Sequence, residues 1–172
     1  QAPTTILWLL AALGIGGWAG KLLDPERWEL LDRECILLAI GIVSMVWLDS
    51  VLGALGILHL PGVAFFALAI PAFIGVLRIR NWRKPGAVSR QSNWALSATI
   101  IPVAILLIAA LSTPGWLWMT EFGGYDVLSY HLQLPREWIM LGGIVETPHN
   151  AYGYLPNGVE AAFMHLGLLN GG

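Results

Sequence analysis

The chain has 172 residues, of which 56% are hydrophobic and only 12% charged, and its mean hydropathy is +0.67. A soluble domain typically carries about 25% charged residues, so this composition predicts a protein surrounded by lipid. The net charge of −2 excludes the basic excess of a nucleic-acid-binding protein, and the single cysteine excludes an internal disulfide or a Cys-rich metal site.

Four stretches have the apolar character of a membrane-spanning helix, which needs about 20 predominantly apolar residues. They cover residues 5–23, 35–58, 63–77 and 94–118. The first is rich in glycine, and small residues either let a neighbouring helix approach closely or simply fill space against lipid. The sequence therefore predicts a four-span region over residues 1–118, in an all-α, polytopic transmembrane helical bundle.

The loop at residues 79–93 determines the expected orientation, because it contains basic residues and no acidic ones. Short loops rich in lysine and arginine stay on the cytoplasmic side of a membrane. Counting spans outward from this loop places the turn at His59 on the external side. It places segment 119–158 on that side as well.

Asp49 is the one ionisable residue within the second predicted span. A charged group at membrane depth is costly and usually faces a cavity or a partner, which makes it a functional candidate. It can equally be a carboxylate held by a structural partner. The nearby Gly53 and Gly56 offer a third interpretation, in which a loosened helix brings Asp49 closer to the external interface.

The composition changes after residue 118, where Tyr, His, Pro, Asn and Glu become frequent. The apolar residues of 125–140, interrupted by Pro135, predict two short helices along the membrane surface with Trp138 at headgroup level. Gly142 ends the second of them. We therefore expect an external interfacial loop with short surface helices over 119–158, and the start of a fifth apolar helix over 159–172.

Asp126 is the candidate catalytic residue. It follows a predicted span by a few residues, and Gly123 and Gly124 allow the backbone to turn back toward the membrane. A carboxylate that is partly desolvated there can serve as a general base. Aspartate is also favoured as the N-cap of a helix, and the two roles can coexist.

Further polar residues of this region are candidates for substrate binding: His131, Arg136, His149 and Glu160. His131 can instead be an ordinary interfacial histidine, and Arg136 either forms solvated contacts with Glu137 or binds a phosphate at the headgroup plane. Carboxylates and imidazoles are also ligands of divalent metals. Because their spacing matches no metal motif, no metal-binding residue is assigned, and the cofactor stays unknown with a divalent metal left open.

Four short stretches carry a resemblance to a known family: YDVLSYHL at 125–132, LPREW at 134–138, PHNAY at 148–152 and PNGVE at 156–160. They resemble the first external loop of polytopic bacterial glycosyltransferases of the C-type fold, which are similar to the protein O-mannosyltransferases. In that family an acidic residue follows a membrane span and precedes a helix parallel to the bilayer. The resemblance covers residues 121–168.

The resemblance implies transfer of a sugar from a polyprenyl-phosphate donor to an acceptor on the external face of the bacterial inner membrane. It places Asp126 at the position of the loop carboxylate that acts on the acceptor. The related mannosyltransferases carry an acidic pair, whereas Val127 follows Asp126 here. Such enzymes also have many more spans, so we expect the chain to be the N-terminal part of one.

A second hypothesis is a non-catalytic transmembrane subunit of a larger photosynthetic or respiratory complex. Glycine-lined spans and nine tryptophans suit packing against partner helices, lipids or pigments. A transporter fragment is a third hypothesis and depends on Asp49 alone. The partners expected are the lipid bilayer, together with a polyprenyl-phosphate sugar or other membrane subunits, and no nucleic acid.

Overall fold

The computed structural model describes residues 2–20, 30–81, 104 and 130–171. Within these residues the chain is helical and contains no β-strand, which confirms the all-α class for this part of the chain. Apart from residue 104, the described residues belong to one compact unit, formed by residues 1–82 and 129–172. The fourth predicted span, at 94–118, lies outside the described residues except for residue 104.

Three long helices come first in the chain: α1 (Ala2–Ala19), α2 (Leu30–Ala54) and α3 (Pro61–Arg80). Two of them contain a segment long and apolar enough to cross a membrane, Glu34–Ala54 in α2 and the whole of α3. The apolar part of α1 is shorter. The structure thus supports membrane character through two candidate spans.

Small residues bring α1 into contact with the backbones of both other helices. A β-carbon at Gly16 would overlap the carbonyl oxygen of Leu37 in α2, and one at Gly41 would overlap that of Ala12. On the opposite side of α1, a β-carbon at Gly14 would overlap the backbone of α3. The glycines of the first predicted span therefore permit close helix packing, which was one of two interpretations of the sequence.

An ion pair joins the start of α2 to the end of α3. Arg78 donates from Nη2 to both carboxylate oxygens of Glu34, at 2.9 and 2.7 Å. The guanidinium lies so close to Gly17 of α1 that a β-carbon there would overlap it. Three helices are therefore linked at this end, while the neighbouring Arg80 is exposed.

The second part of the described chain packs at the opposite end of these helices, beside the turn between α2 and α3. It contains α4 (Gln133–Leu141), a 3₁₀ turn at Ala151–Tyr154 and α5 (Gly158–Leu169). The backbone N–H of Ile144 donates to the carbonyl oxygen of Gly53 at 2.9 Å. This hydrogen bond attaches the segment after α4 directly to the end of α2.

Helix α4 occupies the second half of the segment in which two surface helices were expected, and residues 125–129 of that segment lie outside the described residues. Pro135 does not interrupt α4 but occupies its first turn, where proline is tolerated because the N–H has no helical acceptor. Trp138 is 1% exposed and donates from Nε1 to the carbonyl oxygen of Val145 at 3.1 Å, so its ring packs against protein, while its location at headgroup level stays a prediction. Gly142 ends the helix with φ of 79°, as predicted.

Helix α5 begins one residue before its predicted start and lies against the other helices. A β-carbon at Gly158, at its start, would overlap the side chain of Val46 in α2, and Asn170 just after its end donates to the hydroxyl of Thr4 in α1 at 2.8 Å. Between these points α5 contributes Ala162 to a core that includes Met45. The helix therefore packs across the end of the α1–α3 group.

We expect Gly41→Ala to lower the free energy of unfolding by about 2–3 kcal/mol, because its methyl group would displace the backbone of α1. Gly62→Ala is the matched control, since no atom lies within 4 Å of a β-carbon there. Gly41 is in the middle of α2 and Gly62 in the first turn of α3, so alanine gains at least as much helix propensity at Gly41, and a lower stability of Gly41→Ala reflects packing. Chemical unfolding in detergent measures the difference, and equal stability of the two variants would contradict close α1–α2 packing.

Candidate functional site

The structure brings together two of the residues selected from the sequence. His131 Nδ1 lies 2.5 Å from Glu160 Oε1, although the two residues are 29 positions apart. Glu160 is buried, at 4% exposure, whereas the His131 side chain is about one-third exposed. The contact therefore combines a buried carboxylate with an imidazole that a ligand can reach.

Local structure explains why Glu160 lies at this position. It occupies the first turn of α5, where the unpaired N–H groups of a helix favour a negative charge. The preceding loop is held by its own hydrogen bonds: Asn157 donates from Nδ2 to the carbonyl oxygens of Tyr152 and Gly153 at 3.2 and 3.1 Å. The start of α5 is thereby fixed relative to the 3₁₀ turn.

Two tyrosines form an aromatic group beside this pair. The rings of Tyr130 and Tyr152 are stacked, with centroids 4.5 Å apart and an angle of 20° between their planes. The His131 ring lies 4.1 Å from that of Tyr130. Amphipathic rings of this kind present an apolar face to a ligand and a hydroxyl to water.

His149 takes part in a different contact from His131. Its Nε2 lies 3.0 Å from Oε2 of Glu137, and Gln133 donates from Nε2 to the same carboxylate at 2.8 Å. The hydrogen bond from Gln133 lowers the pKa of Glu137; burial partly opposes this effect and His149 adds to it. The His149 side chain is 63% exposed, so this contact lies at the protein surface.

Arg136 and Asp126 are the other two residues selected from the sequence. Arg136 is exposed on α4, and no ion pair with a described residue holds it; its neighbour Glu137 bonds to Gln133 and His149 instead. Asp126 lies outside the described residues, so its predicted role as general base stays a prediction.

Asp49 has partners on two other helices, and one of these partners extends the network to a third. Trp8 of α1 donates from Nε1 to Asp49 Oδ2 at 3.0 Å, and His165 Nδ1 of α5 lies 2.7 Å from Asp49 Oδ1. The second ring nitrogen of His165 lies 2.8 Å from the carbonyl oxygen of Ala64 in α3. Both side chains of the pair are 0% exposed. Of the three interpretations of Asp49, the structure supports the structural partner.

The bonding pattern defines the protons that this pair carries. A carbonyl oxygen only accepts hydrogen bonds, so His165 Nε2 must carry a proton and donate it to Ala64. One further proton lies between Nδ1 and the carboxylate. The pair is therefore neutral as a whole, whether it is written as imidazolium and carboxylate or as imidazole and carboxylic acid.

The sequence reasoning did not identify His165 or Trp8. The argument that selected Asp49, an ionisable residue in an apolar helix, applies equally to His165 within α5 and would have selected it. Their pairing has no such signal, because 116 residues separate the two in the chain.

No metal site is formed by the residues that the structure describes: no three His, Cys, Asp or Glu side chains lie close enough together to hold an ion. Any ligand set that includes Asp126 falls outside them. Comparisons of the chain with models of known protein families, with curated proteins and with solved structures found no match.

We expect Gln133→Leu to raise the pKa of Glu137 toward its ordinary value, because it removes the hydrogen bond that lowers this pKa most. Since the native pKa is lowered, the contact stabilises the fold at neutral pH, and that stabilisation is lost as the pH falls through the folded-state pKa. A carbon-13 NMR titration of the glutamate carboxyl groups measures the shift. Arg136→Gln, on the same helix, should leave it unchanged; an equal shift in both variants would contradict this assignment.

Proposed function

We propose that the chain is the N-terminal part of a polytopic membrane glycosyltransferase of the C-type fold. It would move a sugar from a polyprenyl-phosphate donor to an acceptor on the external face of the bacterial inner membrane. The observation that carries the proposal is the contact between His131 and Glu160. It joins two of the stretches that resemble this family, 125–132 and 156–160, into one partly exposed polar site.

The surface of the helices supports a location in the membrane. Large apolar side chains project from the outer faces of α2 and α3 and are more than half exposed: Val43, Trp47, Phe65, Phe66, Ile70 and Phe73. Exposing them to water costs about 25 cal/mol per Å² of apolar surface, whereas lipid removes this cost. Because these faces belong to the two candidate spans, we infer that they contact the acyl chains.

The position of the polar site along the helices agrees with an external active site. His131 and Glu160 lie at the end of the helices that holds the α2–α3 turn, and Arg78 and Arg80 lie at the other end. If the basic end is cytoplasmic, the site is at the external interface. That is where the phosphate of a polyprenyl donor would lie.

The contacts suggest a division of roles. Glu160 holds His131 at Nδ1, which leaves Nε2 as the ring nitrogen available to a donor phosphate or a sugar hydroxyl. Arg136, exposed on α4, offers a guanidinium suited to the same phosphate. Asp126, five residues before His131 in the chain, would then act on the acceptor hydroxyl as general base.

The exposed apolar faces also favour a second function, a non-catalytic subunit of a membrane complex. Partner helices would cover Trp47 and Phe73 as well as lipid does. The polar site distinguishes the two functions, because a subunit that only packs against partners has no need of an accessible histidine held by a buried carboxylate.

We expect Asp126→Asn to lower the turnover number for sugar transfer about 100-fold or more, since it removes the proposed base. Glu160→Gln should lower it about 10-fold, because His131 loses the carboxylate that orients it. The measurement is transfer from a polyprenyl-phosphate sugar by the full-length protein in membranes. Glu146→Gln is the matched control, an exposed carboxylate of the same segment, and should have no effect.

Two results would count against the proposal. Full activity of Asp126→Asn would exclude this residue as the base. Folded wild-type protein that transfers no sugar from any polyprenyl-phosphate donor, and that is recovered only within a larger complex, would favour the non-catalytic subunit.

A further inference from the structure

We infer that Asp49 and His165 form a neutral pair, sharing one proton, that holds α5 between α2 and α3 and thereby positions Glu160 against His131. The inference about the position of α5 does not depend on the proposed function. Only the significance of Glu160 for sugar transfer rests on the proposed function.

Helix α5 is attached to the rest of the described structure by polar groups along its length. They are Glu160 in the first turn, His165 in the middle and Asn170 after the end.

Among these three, His165 reaches furthest into the protein and contacts two helices at once. Its Nδ1 bonds to Asp49 of α2 and its Nε2 donates to the Ala64 carbonyl oxygen of α3. Asn170, by contrast, is exposed. His165 thus connects α5 to both candidate spans through bonds that water cannot replace.

The groups around the pair favour a fixed structural role. Helix α1 contributes the indole N–H of Trp8, α3 contributes the Ala64 carbonyl oxygen, and the adjoining core is apolar, with Met45 and Leu68. No other charged side chain of the described residues bonds to Asp49 or His165. Neither a carbonyl oxygen nor an indole passes on a proton at ordinary pH, so the pair does not belong to a proton path through these groups.

Neutrality makes the Asp49 carboxylate dependent on His165. Asp49→Asn keeps a neutral arrangement, because the Asn amide donates to Nδ1 of a neutral His165 whose Nε2 still donates to Ala64. His165→Gln leaves the carboxylate of Asp49 with no cation or shared proton. Leaving a buried carboxylate without its partner is strongly unfavourable, whereas replacing both members by neutral groups is often tolerated.

The pair determines where Glu160 lies because Glu160 and His165 are both on α5. His131 belongs to the segment before α4 and not to α5. Release of His165 therefore allows α5 to shift or rotate, which withdraws Glu160 from His131. Asp49 and His165 are positioning residues in this sense, since neither touches His131.

Hydrogen exchange of the intact protein in lipid nanodiscs tests the inference. In His165→Gln, amides of residues 158–169 should exchange about 100-fold faster than in the wild type, whereas in Asp49→Asn their exchange should stay within about 10-fold of it. In the double variant, the exchange should return to within about 10-fold of the wild type, because Asn and Gln form a neutral pair. Ser50→Ala is the matched control on α2, since Ser50 bonds only within its own helix, and should leave α5 unchanged.

The double variant still tests the inference if His165→Gln does not fold. A folded double variant with a protected α5 supports the inference. An unfolded double variant, or a folded His165→Gln variant whose α5 exchanges within about 2-fold of the wild-type rate, would overturn it.

The imidazole nitrogen-15 resonances of His131 provide a readout specific to positioning. His165→Gln should shift them to the values found in Glu160→Gln, and the double variant should restore the wild-type values. Unshifted resonances in folded His165→Gln would overturn the positioning role. Neither measurement involves sugar transfer, so a wild type without transfer activity but with these responses would contradict the proposed function and leave this inference standing.

Discussion

The carboxylate of Asp49 is the point at which four helices of the described structure meet. Burying an isolated carboxylate in an apolar interior is so unfavourable that the group must be paired or protonated. Trp8 and His165 supply the hydrogen bonds, and His165 extends the network to the backbone of α3. Because its members come from α1, α2, α3 and α5, this one requirement fixes how those helices are arranged.

The packing of α1 makes this arrangement possible. Trp8 reaches Asp49 only because the backbones of α1 and α2 approach at Gly16 and Gly41. Larger side chains at these positions would separate the helices and remove the indole donor from the carboxylate. The glycines and the buried pair therefore depend on each other. Close packing at the glycines brings the Trp8 donor within hydrogen-bonding distance of the buried Asp49 carboxylate.

The helices of the fold were predictable where the lipid environment determines the length of an apolar run in the sequence. Apolar runs of about 20 residues identified α2 and α3, since lipid and helical rise together determine their length. The covering of Trp138 was not predictable, because an amphipathic pattern shows that one face of a helix is buried without showing what covers it. In α4 that cover is protein, including Leu58 and Met164. Distant pairings such as that of Asp49 with His165 leave no local pattern.

The candidate site was predictable only in part for the same reason. Residue type and resemblance selected His131 and Glu160 separately, but their contact depends on α5 folding back against α2 and α3. A buried histidine on that same helix pairs with the carboxylate of the second span. The expected site at the interface is thus connected to the interior. His165, which pairs with the buried Asp49, also places the carboxylate of Glu160 beside His131. An active site at this end would depend on a pair that its substrates never touch.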